Sequence, residues 1–64
     1  MTTDLDSLPR IGAPAARGLN AAGYLSLRDL ADADGAELSK LHGVGPKALR
    51  IIDEALREHG LALR

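Results

Sequence analysis

Apolar residues recur at intervals of three and four along most of this 64-residue chain, which is the spacing of one face of an α-helix. The clearest run predicts a helix from Pro46 to about His59, ended by Gly60. Its inner face is formed by Ala48, Leu49, Ile52, Ala55 and Leu56. No stretch alternates apolar and polar residues as a half-buried strand does. The pattern therefore predicts an all-α fold.

Shorter helices are predicted ahead of this one from residues that cap, open or end helices. Ser, Thr and Asp side chains cap helix starts, Pro suits the first turn, and Gly favours the end. In chain order, the signals predict a helix from Thr3 or Asp4 to about Leu8, a helix from Pro14 to Ala22 ended by Gly23, a connector helix capped by Ser26, and a helix that opens at Asp34.

The chain also contains an internal repeat, because it aligns with itself when Gly12 is placed on Gly45. The alignment pairs Leu5 with Leu38, Leu8 with Leu41, Ile11 with Val44, Ala15 with Ala48, and Arg17 with Arg50. Arg10 stands where the second copy has Gly43, so the first copy is degenerate. We expect one domain over 1–64, with a first unit over 4–23, a connector over 24–33 and a second unit over 34–60. The two units together would form a compact bundle of five helices.

The turn of the second copy has the chemistry of an anion site. Gly43 and Gly45 can adopt positive φ or let a ligand approach the backbone closely. Pro46 suits the first turn of the following helix. Unpaired backbone N–H groups at a helix start attract anions, and Lys47 adds a full positive charge. The alternative is a tight interhelical turn with a solvated lysine.

Charge is segregated along the chain although the net charge is only −1. Residues 7–18 and 38–52 together hold five of the eight bases and none of the nine acids. The five bases are Arg10, Arg17, Lys40, Lys47 and Arg50. Such a local basic patch can steer a polyanion. Further along, Arg50 and Glu54, and also Asp53 and Arg57, have the spacing of helix ion pairs, so Arg50 is alternatively an ordinary surface arginine.

The second turn and its flanks resemble the helix-hairpin-helix family of DNA-binding motifs. The matching positions are Leu38, Leu41, Gly43, Val44, Gly45, Ala48, Ile51 and Ile52. From Leu5 to Leu63, the chain also resembles the C-terminal domain of the bacterial RNA polymerase alpha subunit. These resemblances imply a tandem of two hairpins joined by a connector helix, with a SAM-domain-like architecture.

The resemblance further implies a non-enzymatic, largely sequence-independent binder of double-stranded DNA, in which turn N–H groups contact phosphates. The DNA-binding residues expected on this basis are Arg10, Gly12, Ala13, Arg17, Gly43, Gly45, Lys47 and Arg50. Some members of the family hold a monovalent cation, K⁺ or Na⁺. The matching ligands here are the carbonyls of Ser39, Leu41 and Val44.

Several other functions are disfavoured by composition. Without cysteine there is no thiolate zinc site. Tyr24 is the only aromatic residue, which argues against base stacking as the main binding mode. The carboxylates lie at caps and on polar helix faces, so no enzyme is expected. With neither a membrane span nor a signal peptide in the pattern, we expect a cytoplasmic protein. The resemblance further implies a bacterial, nucleoid-associated monomer that acts in transcription or DNA repair. The alternative is a protein-interaction or tethering module, associated with the transcription machinery, whose acidic surface meets a basic partner.

Overall fold

A computed structural model describes residues 3–64. It contains four helices: α1 (Ala13–Ala21), α2 (Leu27–Leu30), α3 (Gly35–Ser39) and α4 (Pro46–Arg57). No strand occurs within these described residues, so the predicted all-α class is confirmed. The radius of gyration is 10.1 Å, close to the ~11 Å expected for a compact chain of this length.

The prediction of a helix from Thr3 or Asp4 to Leu8 is wrong. Residues 3–64 contain four helices instead of the five that were predicted. Residues 4–7 instead form a single turn, closed by the Ser7 N–H donating to the Asp4 carbonyl at 3.0 Å. A helix this short is marginal by itself, and the residue before Pro9 is biased away from helical dihedrals. The segment therefore does not form a helix, and some of its carbonyl groups accept hydrogen bonds from another part of the chain.

Two carbonyl groups of this segment accept hydrogen bonds from the first N–H groups of α2. The N–H groups of Leu27 and Arg28 donate to the carbonyls of Ser7 and Leu5, each at 2.8 Å. Ser26 occupies the N-cap position of α2 as predicted, but its side chain makes no capping hydrogen bond. The first amides of a helix need acceptors from outside it. At α2 these acceptors are carbonyl groups of the N-terminal segment (residues 3–9) and not the side chain of Ser26.

The two long helices end on glycines, as predicted. Gly23 has φ 96° and Gly60 has φ 73°, both in the left-handed region. The N–H group after each glycine donates to the carbonyl five residues earlier. Tyr24 donates to Leu19 at 2.8 Å, and Leu61 donates to Leu56 at 2.9 Å. This hydrogen-bond pattern is the Schellman motif, which satisfies the last carbonyls of a helix. The helix α4 thus ends at Arg57 rather than at His59.

The core is built from leucine and isoleucine side chains of all four helices. The fully buried ones are Leu19, Leu27, Leu30, Leu38, Ile52 and Leu56. Ala15 and Ala48, which are equivalent in the repeat, are also both buried. At the end of the chain, Leu61 and Leu63 pack against this core. The N–H of Arg64 donates to the Ala33 carbonyl at 2.7 Å.

Among residues 3–64, none of the helices has both the length and the apolar character that a membrane span requires.

Asp34 caps α3 as its sequence position predicts. Its Oδ1 accepts a hydrogen bond from the Ala36 N–H at 2.9 Å. We expect Asp34→Ala to lower the free energy of unfolding by about 1 kcal/mol, because an N–H near the helix start loses its partner. Urea denaturation measures the change. Asp6→Ala is the control: it breaks an ion pair with Arg28 in which both side chains are exposed, and we expect it to cost no more than about 0.5 kcal/mol. Equal losses in the two variants would contradict a capping role.

Candidate nucleic-acid interface

The turn between α3 and α4 is a tight bend that depends on Gly43. The Val44 N–H donates to the Leu41 carbonyl at 3.1 Å, and Gly43 has φ +83°. Gly45, in contrast, is extended, with φ −106° and ψ −177°, and is the N-cap residue of α4. Of the two glycines singled out in the sequence, only Gly43 needs the conformational freedom of glycine.

Five backbone donors at this turn have no acceptor within residues 3–64. They are the N–H groups of His42, Gly43, Gly45, Lys47 and Ala48. Pro46 has no N–H to contribute, and no side chain caps α4. Unpaired donors at the start of a helix carry the positive end of its dipole. The turn therefore offers a cluster of donors next to the exposed ammonium group of Lys47.

The surroundings of Gly45 are open. A Cβ atom built at this position would meet no other atom within 4 Å. The dihedral angles of Gly45 are also accessible to any L-residue. Neither the packing nor the backbone conformation of the isolated chain requires a glycine here.

The first turn, before α1, has a different shape. The Ile11 N–H donates to the Pro9 carbonyl at 2.9 Å, one residue closer than in the second turn. Gly12 has φ +91° and is the N-cap of α1, again with no side-chain cap. In the first turn the residue with positive φ is Gly12, which is equivalent to Gly45 in the repeat. In the second turn it is Gly43, which is equivalent to Arg10. The N–H groups of Arg10, Gly12, Ala13 and Ala15 have no acceptor within the described range.

The two hairpins meet through backbone contacts at glycines. A Cβ on Gly43 would collide with the carbonyl group of Pro14, and a Cβ on Gly18 would collide with the carbonyl oxygen of His42. These contacts place the second turn directly against α1. The repeat does not reveal the contact at Gly18. Its only signal in the sequence is a glycine inside a helix, which costs about 1 kcal/mol relative to alanine and so suggests a packing reason.

All four predicted DNA-binding cations remain available to a ligand. Arg10, Arg17, Lys47 and Arg50 are exposed, and none of them forms an ion pair with any part of residues 3–64. The ion pairs that do form are Arg28–Asp6 at 3.3 Å, Lys40–Glu37 at 3.8 Å and Arg57–Asp53 at 2.8 Å. The predicted pair of Asp53 and Arg57 is confirmed, but Arg50 does not pair with Glu54.

The histidines do not form a metal site with other residues. No group of three or more His, Cys, Asp or Glu side chains is placed to hold a metal in the part of the chain that the structure describes. His59 instead hydrogen-bonds through Nε2 to the carbonyl group of Thr3. The K⁺ or Na⁺ site on the carbonyls of Ser39, Leu41 and Val44 stays a prediction. The Leu41 carbonyl already accepts the turn hydrogen bond described above.

The sequence of this chain matches the model of a known protein family. The family model of the SAM-like helix-hairpin-helix tandem matches residues 2–58. The matched range contains both turns and all four helices. A search of curated proteins returned no match.

Proposed function

We propose that this chain, which belongs to the SAM-like helix-hairpin-helix tandem family, is a non-enzymatic binder of double-stranded DNA with little sequence preference. Tandem domains of this family commonly bind nucleic acid. In the proposed complex, N–H groups of the second turn donate to phosphate oxygens, and the first turn supplies a weaker contact at Gly12 and Ala13. Phosphate contacts carry no base information, which explains the low sequence preference.

The observation that carries the proposal is the open, uncapped position of Gly45. Helices usually place Ser, Thr, Asp or Asn at the N-cap, and this fold does so with Asp34 at α3. At α4 the same position holds a glycine that neither its dihedral angles nor its neighbours require. A glycine there leaves the N–H groups of Lys47 and Ala48 uncovered. The arrangement suits an acceptor from outside the chain that approaches the backbone closely, as a phosphate does at other helix starts.

The free cations account for the electrostatic part of the binding. Arg17 and Arg50 are equivalent in the repeat, and both are exposed and unpaired within residues 3–64. With Arg10 and Lys47 they could neutralise at most a few phosphates. The logarithm of the binding constant should then fall with the logarithm of the salt concentration with a slope of roughly −2 to −4. The affinity should be modest, with a dissociation constant of about 10⁻⁴–10⁻⁶ M.

The two turns should contribute unequally, because their geometries differ. The second turn has an open, extended glycine at its N-cap and Lys47 in the following helix turn, whereas the first turn carries Arg10 in place of the first glycine and Pro14 in place of the lysine. We assign the second turn as the main phosphate site. The first turn contributes through the amides of Gly12 and Ala13, which are among its unpaired donors, and through the guanidinium group of Arg10.

A titration of the ¹⁵N-labelled chain with a short DNA duplex tests this assignment. The amide signals of Gly43, Gly45 and Lys47 should shift most, that of Gly12 should shift less, and added salt should reverse all of these shifts. The amide of Ala36 is an internal control, because it is already bonded to Asp34 and should stay in place. Shifts that spare the second turn and appear elsewhere would refute the site.

A further inference from the structure

A groove of about 430 Å³ lies between the N-terminal segment and the C-terminal half of α4. The side chains that line it are Thr3, Pro9, Arg10, Ile51, Glu54, Ala55 and Glu58. Ile51, Glu54 and Ala55 of α4, together with its C-cap residue Glu58, have the spacing of one helix face. Only Ala55 of these four also belongs to the buried core. The α4 face of the groove is thus separate from the proposed phosphate-binding turn at the start of the helix, and among the lining residues only Arg10 is shared with the proposed DNA site.

The floor of this groove is apolar. Pro9 and Ala55 are buried, and Ile51 is half-buried. Pro9 has no N–H, and its carbonyl already accepts the Ile11 N–H. The floor therefore offers contact to methyl and methylene groups.

The rim of the groove carries two carboxylates that form no ion pair within residues 3–64. Glu54 and Glu58 are four residues apart, so they lie one above the other on the helix surface. Both are exposed, and neither forms an ion pair within the described residues. Arg57 cannot neutralise them while it is bonded to Asp53 at 2.8 Å. Two carboxylates above an apolar floor complement a side chain with a long aliphatic stem and a cationic head.

We infer that this groove binds an extended segment of a partner protein that inserts a lysine or an arginine. The methylene stem of the inserted side chain lies on Ile51 and Ala55, and its charged head meets Glu54 and Glu58. On the opposite wall, the guanidinium group of Arg10 faces acceptors of the same segment. Nucleic acid is a poor occupant, because the two carboxylates repel phosphates.

The test uses a blocked pentapeptide, Ala-Leu-Arg-Leu-Ala, added to the ¹⁵N-labelled full chain at up to millimolar concentration. The amides of Ile51, Ala55 and Glu58 should shift with this peptide and not with Ala-Leu-Glu-Leu-Ala. Combined Glu54→Gln and Glu58→Gln substitution should weaken the interaction about fivefold. Glu37→Gln, which removes one carboxylate from α3, should leave it unchanged.

Three results would overturn the inference. They are an absence of shifts at the groove, equal shifts with the glutamate peptide, and undiminished binding by the doubly substituted chain. Its failure is separable from that of the DNA-binding proposal. Lys47→Glu should weaken DNA binding and keep the peptide shifts, whereas the double glutamine variant should bind DNA at least as well as the parent chain. Circular dichroism verifies that each variant keeps its helices.

Discussion

Gly45→Asp should make the protein more stable and at the same time abolish most of its binding to duplex DNA. Gly45 has the extended conformation that N-cap residues adopt, and a side chain there has free space. The new carboxylate can accept from the N–H of Lys47 or Ala48, as Asp34 does from Ala36 in this fold. With the favourable helix dipole, we expect a gain of about 0.5–1 kcal/mol in the free energy of unfolding.

The same carboxylate should weaken DNA binding by about tenfold or more, since it covers the donors and repels phosphate. Fluorescence anisotropy with a labelled duplex measures the affinity, and urea denaturation measures the stability. Ala36→Asp is the matched control, because it adds one negative charge at an exposed site on α3 and should change the affinity less than about twofold. If Gly45→Asp binds DNA as the parent chain does, the second turn is not the phosphate site.

Gly18→Ala should destabilise the fold strongly, against the intrinsic helix preference of alanine. Alanine is favoured over glycine by about 1 kcal/mol inside a helix. The Cβ at this position, however, would overlap the carbonyl oxygen of His42, which is backbone and cannot rotate away. We expect a net loss of about 1–3 kcal/mol, a large part of the total for a domain of this size. Thermal unfolding should show a midpoint lower by about 4–8 °C per kcal/mol.

Gly35→Ala is the control for this comparison. Gly35 is the first residue of α3, and a Cβ there would make only ordinary contacts, the nearest at 3.8 Å from the Arg64 carbonyl oxygen. It should follow helix preference and leave the stability unchanged or slightly higher. Similar behaviour of the two variants would show that α1 and the second turn are not in the close contact described above.

The parts of the fold that could be predicted from the sequence are those fixed by neighbouring residues. Asp34 bonds two residues ahead, and Gly23 and Gly60 end helices through hydrogen bonds within the same few residues. The apolar face of α4 is likewise local, and its inner residues are buried or half-buried. Local signals of this kind do not depend on how the rest of the chain folds.

The features that could not be predicted depend on distant partners. Leu5 and Leu8 have helical spacing and do pack against the core, but the carbonyl of Leu5 bonds to Arg28, far along the chain. No spacing rule indicates that choice. At the candidate site, the glycines and the cations could be predicted from their residue types. The extended conformation of Gly45 and the absence of an ion pair between Arg50 and Glu54 within residues 3–64 depend on the backbone path and on side-chain rotamers.

The hydrogen bonds between the N-terminal segment and α2 determine how the amide hydrogens of this helix exchange with solvent. With only four residues, α2 cannot protect its own first amides. The N–H groups of Leu27 and Arg28 are covered by Ser7 and Leu5, so their exchange requires detachment of that distant segment and not fraying of α2. Their exchange rates thus report a local opening that also removes Pro9 from beside α4, ahead of global unfolding.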